Sequence, residues 1–342
     1  MALVGMNKQK NMQKSRYQKV QVVCPGNAMT AGPEALHQLV ERMNALGQPA
    51  AMVYHPFNRT FAIPPAYQKY QAPVEKYSDL PGNLILFPEI FTKLALQTQQ
   101  AEAAIWWMSV NNFTCVRYRN PLRDKLRYFK NQIKGRIPWR GLNALRGLRH
   151  FAQSHYAKLF LQENGIEALL LSDPIPVYTA PAYVATLPQR LAQSERLNRI
   201  FYNPHKGAAV TAQLKAAFPA WDFMPLTGYN REQLAEHFLT GKLYMDFGHH
   251  PGKDRLPREA ALHGCCVITG LYGSAANSVD VPMDARYKLD PLFPTFIADF
   301  EREVLRIFNA TAESQHDFDA YRHTITQEPT AFDAQVVAAF LK

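Results

Sequence analysis

KLYMDFGHHPGKDRLPREAALHGCCVITGLYGSAANSVD, from Lys242 to Asp280, is the stretch on which the fold turns. Residues 243–247 read as a short apolar strand. Gly248, His249, His250, Pro251, Gly252, Lys253, Asp254 and Arg255 form a loop crowded with ionisable groups. Pro257 then opens a helix that carries Arg258, Glu259, Ala260, Ala261 and Leu262 and stops at Gly264; residues 265–269 make a second strand. Proline just inside a helix start and glycine just past its end are the usual asymmetry of helix termini. The unit is strand, loop, helix, strand.

A loop that leaves the carboxyl end of a parallel strand and feeds a helix N-terminus is where open α/β sheets bind phosphorylated ligands. Unpaired N–H groups and the positive end of the helix dipole both face the anion there. Lys253 and Arg255 add two full charges, and Gly252 permits close backbone approach. Glu259, one turn into the helix, is placed to accept hydrogen bonds from ribose hydroxyls. The set suits a nucleoside diphosphate, nucleotide sugars among them. The polar loop after the second strand, with Ser274 and Asn277, is placed to close on sugar or phosphates.

Working outward, the same alternation repeats on both sides. Upstream, residues 199–202 and 222–226 read as strands and 208–218 and 231–239 as helices. Nearer the N-terminus, a strand at 20–24, a glycine-containing loop at 25–33, a helix at 34–45 and a strand at 50–54 make a βαβ unit. Strands at 82–88 and 103–108 deliver Glu89, Ser109 and Asn111 at their carboxyl ends, where α/β sheets keep their sites. The loop holding Thr30 and Gly32 lacks the GxGxxG spacing, and no acidic residue follows the second strand, so it is no dinucleotide fingerprint. The fold class is therefore α/β, with two Rossmann-like domains.

With 342 residues, 47% of them hydrophobic, the chain suits two domains. We expect a basic, disordered start at 1–18, a first domain at 19–185 with a basic insertion at 117–150, a second at 186–310, and helices at 311–342. Prolines concentrate at 173–188, as in a linker. No window approaches the roughly 18 apolar residues of a membrane span. The four cysteines have no CxxC spacing and read as reduced core residues, which points to the cytosol.

The net charge is +10, and eleven of its basic residues lie between Arg117 and Arg149 against one acid, Asp124. Arg123, Arg127, Lys130, Lys134 and Arg136 interleave with Tyr118, Tyr128, Phe129 and Trp139, while Leu122, Leu126, Phe129 and Ile133 recur at helical spacing. Such a stretch can lie on an anionic membrane surface, at about 1 kcal/mol per basic residue. A solvated helix face is the bland alternative. RNA binding is a third, but no RRM, KH or zinc-finger pattern accompanies the charge, so no nucleic-acid partner is expected.

Pro257-Arg258-Glu259-Ala260-Ala261, then Gly264, then Cys266-Val267-Ile268, resembles the donor-binding block of GT-B glycosyltransferases, and in particular those that build bacterial capsule and lipopolysaccharide. The upstream Tyr202-Asn203-Pro204-His205-Lys206-Gly207 adds to the likeness. The resemblance implies a nucleotide-sugar donor, with Lys206 beside its diphosphate and His249 and His250 as further hydrogen-bonding groups, and a glycan or lipid-linked acceptor. It has the two domains face a central cleft, places Thr30, Gly32, Glu34 and His37 in that cleft, and has the last helices cross back to the first domain. Leaving-group charge would be met by Lys206, Lys253 and Arg255 without metal or other cofactor. No DxD lies between small apolar strands, and His249 and His250, adjacent in a loop, lack metal-ligand spacing. Asp246 and Asp254 read as structural, Asp254 bonding to Arg258 or capping the helix. A base is needed if the enzyme inverts, and Glu34, His37 and Glu89 are the candidates. Where retaining families carry a first glutamate, eight residues before the ribose glutamate, this chain has Pro251, which leaves the stereochemical course open. Such an enzyme would work on the inner face of the cytoplasmic membrane. Two alternatives stay open: a nucleotide-sugar epimerase of the same architecture, which would convert donor without acceptor, and a non-enzymatic anionic-surface or RNA-binding protein, in which Lys253 and Arg255 would matter less than Arg123, Arg127 and Lys130.

Overall fold

The computed structural model describes residues 15–114 and 121–341, which build two parallel sheets. The first comprises β1 (Val20–Pro25), β2 (Ala50–His55), β3 (Leu84–Pro88), β4 (Glu102–Trp107), β5 (Arg149–Ala152) and β6 (Leu169–Leu170), in the order β2-β1-β3-β4-β5-β6. The second comprises β7 (Leu197–Tyr202), β8 (Asp222–Pro225), β9 (Gly241–Asp246) and β10 (Cys266–Thr269), in the order β10-β9-β7-β8. Of the helices, α1 (Ala31–Leu46), α2 (Pro121–Ile133) and α3 (His155–Glu163) belong to the first half. In the second are α4 (Ala208–Ala217), α5 (Arg231–Thr240), α6 (Arg255–Leu262), α7 (Phe296–Asn309) and α8 (Asp319–Phe340).

The first sheet is apolar on both faces because both are covered. Val22, Leu86 and Trp106 point into one core layer while Val23, Ile85 and Trp107 point into the other. A period of two with both faces buried gives near-continuous apolar strands. The two indoles keep their polar ends satisfied: Trp106 donates to the Leu171 carbonyl at 2.9 Å and Trp107 to Nδ1 of His150 at 3.0 Å.

Several boundaries differ from the sequence reading. Leu171 lies in the first core and Ile175 in the second, so the chain crosses at 172–174. Tyr178 and Leu187 also pack into the second core. The proline-rich stretch up to residue 188 therefore rides on the second domain instead of tethering it, and the boundary expected at 185 lies too late.

The return crossing also comes later than residue 311. Helix α8 is continuous through Pro329, where two helices were expected. A proline inside a helix removes one backbone bond, but here each side has its own anchor. Tyr321 and Ile325 sit in the second core; Phe332, Val336 and Phe340 sit in the first. Arg42 fixes the far end through a two-pronged pair with Asp333 at 2.6 and 2.8 Å.

Residues 15–18 are not loose. Ser15 bridges to Leu341, and buried Tyr17 donates to Glu102 at 3.1 Å. Residues 1–14 of the expected disordered start lie outside the described residues, as do Arg117, Tyr118 and Arg119 of the basic segment.

Candidate active site

The carboxyl ends of the two sheets meet across a cavity of about 440 Å³. The first domain contributes Thr30 and Gly32 at the start of α1, Glu89 after β3, Met108, Ser109 and Asn112 after β4, and Gln153 after β5. The second contributes Lys206 after β7, Asp246 at the end of β9, and the 251–257 segment entering α6.

Glu89 is 2% exposed yet lines this cavity. Burial raises its carboxyl to about 7, against the pull of hydrogen bonds from the Asn112 amide at 2.9 Å and the Met108 N–H at 3.1 Å. Desolvation disfavours the charged form, and the result is a carboxyl that exchanges a proton near neutrality. Such a group suits general acid–base work.

The other two base candidates do not. Glu34 is met by Lys69 at 2.9 Å, Arg255 at 2.5 Å, Arg231 and the Tyr70 hydroxyl. Burial would raise it, but Arg255, Lys69 and Arg231 prevail and hold it near 2. A carboxylate so stabilised is a poor proton acceptor. His37 is fully buried, outside the cavity lining, and both ring nitrogens are engaged, Nδ1 with the Pro33 carbonyl and Nε2 with the Tyr54 hydroxyl, each at 2.7 Å. Burial pushes its pKa down. Ser109, Thr30 and Gly32 do line the cavity, and Ser109 accepts from the Asn112 N–H at 3.2 Å. Asn111 does not line it: the short helix Val110–Thr114 places Asn112 there in its stead.

Across the cavity, α6 begins at Arg255, two residues before the Pro257 expected to open it. Lys206, Lys253 and Arg255 all line the space, and each already faces a carboxylate. Lys206 pairs with Asp254, Lys253 with Glu328 of α8 at 2.7 Å, and Arg255 with Glu34, with Asp173 further off at 3.7 Å. Arg258, 1% exposed, pins the loop: it donates to the carbonyls of Lys253 and Asp254 and to Glu328. Sequence reasoning gave it only a bond to Asp254, and missed Glu328 and the Lys253 carbonyl.

His250 is buried between two acids, Nδ1 3.1 Å from Asp254 and Nε2 3.4 Å from Asp246. Burial opposes its charge, but Asp246 and Asp254 raise its pKa. In return His250, with Lys206, holds Asp246 near 2 despite burial. Ligand atoms of Asp246, His250 and Asp254 lie within 4.8 Å of one another, a grouping of metal-ligating types that the sequence reading, weighing only His249 with His250, missed. As arranged, Lys206 pairs with Asp254 and the His250 ring lies between the two acids. Asp254 is the residue before α6 but makes no side-chain cap; Arg258 meets its carbonyl instead.

Other expected donor residues serve the loop itself. Glu259 is buried beside Arg255, Arg231 and Arg258 and is outside the cavity lining, as are His249 and Asn277. Ser274 donates to the Gly252 carbonyl at 2.5 Å, and Asn277 accepts from the N–H groups of Val279 and Asp280. Gly252 is needed for a contact different from the one expected: a Cβ there would collide with the Met108 carbonyl and Gln153 of the first domain. The loop is docked on that domain, Pro251 accepting from Val110 N–H at 3.2 Å and Lys253 N–H donating to Gln153 at 3.0 Å.

Neither a protein-family profile nor a curated protein matches the sequence. Solved structures do. Anabaena HepE in complex with UDP-glucose is 10% identical, with a TM-score of 0.58 over 94% of this chain and 98% of that one. The fold is GT-B. A sucrose-phosphate synthase from Thermosynechococcus elongatus is 12% identical, with a TM-score of 0.56 over 94% of this chain and 100% of its own. An α-glucosyltransferase in complex with UDP and a mismatched DNA is 10% identical, with a TM-score of 0.51 over 93% and 99%. These likenesses cover nearly all of each chain, so the pairing of the two GT-B domains is shared along with the domains themselves.

The basic segment stands apart from this cleft. On α2, Leu122, Leu126, Phe129 and Ile133 are 71, 63, 55 and 63% exposed, and Trp139 beyond it 69%. Arg123, Arg127, Lys130, Lys134 and Arg136 are exposed around them. Tyr128, expected on the outer side, instead packs edge-on against Phe113, and Asn131 is buried; these two anchor the helix.

Proposed function

We propose that this chain is a glycosyltransferase that carries a sugar from a nucleoside-diphosphate donor to an acceptor hydroxyl in the central cleft. The observation that carries this reading is the opposition of Glu89, with its near-neutral carboxyl, to Lys206, Lys253 and Arg255 across one cavity. Glu89 takes the proton from the acceptor oxygen as that oxygen attacks the anomeric carbon. The bond from that carbon to the diphosphate breaks, and the cations at the start of α6 meet the charge left on the phosphates. To do so they exchange their present carboxylate partners for the ligand. Charge neutralisation by these side chains needs no metal. Base-assisted attack of this kind favours inversion at the anomeric carbon.

HepE is seen with UDP-glucose and the α-glucosyltransferase with UDP, so a UDP-sugar is the first donor to test. The acceptor is a surface polysaccharide or a lipid-linked saccharide, presented at the inner face of the cytoplasmic membrane. The outward apolar row of α2 with its basic flanks supports membrane docking.

Calorimetric titration with UDP, GDP, CDP and ADP, with and without EDTA, tests the donor site. Micromolar binding of one nucleotide, unchanged by EDTA and weakened at least tenfold by Lys206→Ala, supports the proposal. No binding of any of the four by folded protein sinks it.

A further inference from the structure

A second cavity, of about 630 Å³, lies beside the edge strand β2, roofed by the 56–77 segment. That segment folds back against the edge strand, where Met52 and Val74 bridge in parallel. The lining of the cavity is aromatic. The Phe57 ring stacks on Tyr77 at 4.3 Å with the planes 17° apart, and Phe61 meets Tyr54 edge-on at 6.0 Å. Phe57 remains 36% exposed.

Its rim is positive. Arg59 and Lys76 line the cavity, both exposed, and neither pairs with a carboxylate among the described residues. The one acid in the lining, Glu75, is already taken, both of its oxygens accepting from Lys19 at 2.7 and 2.8 Å. Exposed Asn58 and Thr60 add neutral hydrogen-bonding groups.

We propose that this cavity is a distal acceptor subsite for an acidic saccharide, one bearing a uronate or phosphate. A pyranose has an apolar C–H face that packs on an aromatic ring and a hydroxyl edge for amide and hydroxyl partners. Its anionic substituent pairs with Arg59 and Lys76. The position fits an extended acceptor, because the loop at residues 25–28 borders both cavities. Phe61 packs on Gly26, whose N–H donates to the His55 carbonyl at 2.9 Å, while Pro25 and Ala28 of the same loop line the central cavity. A saccharide with its terminal hydroxyl at Glu89 would run over that loop into the second cavity. The inference rests on the glycosyltransferase reading and adds the charge of the acceptor to it.

The test is a glycan array carrying uronate- and phosphate-bearing saccharides beside their neutral counterparts and single-stranded oligonucleotides, followed by titration of the best hit. Acidic saccharides bound in preference to neutral ones, at least tenfold more weakly by both Arg59→Ala/Lys76→Ala and Phe57→Ala and more weakly as salt rises, confirm the subsite, provided UDP binding is equal in all three proteins. No acidic preference, binding unchanged in the variants, or preference for the oligonucleotides overturns it. Acidic-saccharide binding of this kind in a protein that binds no nucleotide keeps the cavity as a saccharide site and removes the transferase reading.

Discussion

Glu89 and Glu34 are two buried carboxylates placed by similar local sequence, each following a strand and near a helix start, and their surroundings send them in opposite directions. Glu89 has hydrogen bonds but no cation and sits near 7; Glu34 has three cations and sits near 2. If Glu89 is the base, Glu89→Gln lowers kcat by roughly 10²–10⁴-fold with nucleotide affinity unchanged. The wild-type rate would rise as pH increases through about 7, where the carboxyl gives up its proton, and the variant would lose that limb; a pH–rate profile checks both. Glu34 is a stability group. Its folded value lies below its ordinary 4.5, so its contribution is fully present above about 4.5 and is lost as pH falls toward 2. Glu34→Gln should therefore cost on the order of 3 kcal/mol at pH 7, with the gap between variant and wild type narrowing below pH 4.5 in urea titrations. The sequence could not separate these two residues, because Arg231 and Arg255, which decide Glu34, lie 197 and 221 positions away. Separation along the chain, though shorter, likewise hid the carboxylate partners of Lys206 and Lys253.

At the level of elements, period and punctuation located both sheets. Strand and helix order was readable because strands such as β1, β3 and β10 are largely apolar runs and helices such as α1 stop at glycine. What failed were the ends: α6 starts two residues before its proline, and α8 runs through Pro329, since packing on either side outweighs the missing backbone bond. The amphipathic row of α2 was legible too, though not that Tyr128 would turn inward. If α2 docks on membranes, the protein binds phosphatidylglycerol vesicles and not phosphatidylcholine ones, and added salt weakens the binding. Removing charge at Arg127, Lys130 and Lys134 together should cost about 3 kcal/mol of membrane affinity, at about 1 kcal/mol each. Vesicle co-sedimentation reads this directly, and equal binding to both lipids would exclude the α2 role.

Across the whole molecule, the two domains are joined by more than their crossings. Asp280 of the second domain accepts from the His155 and Tyr156 N–H groups at 2.7 and 2.8 Å, capping the start of α3 in the first. Glu34 reaches the other way to Arg231 and Arg255. Helix α8 is the strongest tie, and Phe332→Ala, which opens a hole in the first core, is expected to lower stability by about 3–5 kcal/mol while sparing nucleotide affinity in the folded fraction. Chemical denaturation with a UDP titration separates the two effects. The contacts of Asp280 and Glu34 were not visible in the sequence; the resemblance implied that the last helices cross back to the first domain, but not which core each half of α8 enters.

The path of α8 also sets an order of events during synthesis. The second core draws on one uninterrupted run, from Ile175 to Ile325. The first needs Val20 at one end and Phe340 at the other. On the ribosome the second domain's core can therefore close before the layer of the first that holds Phe340, while the other layer of the first, from Val23 to Ala168, needs nothing from α8.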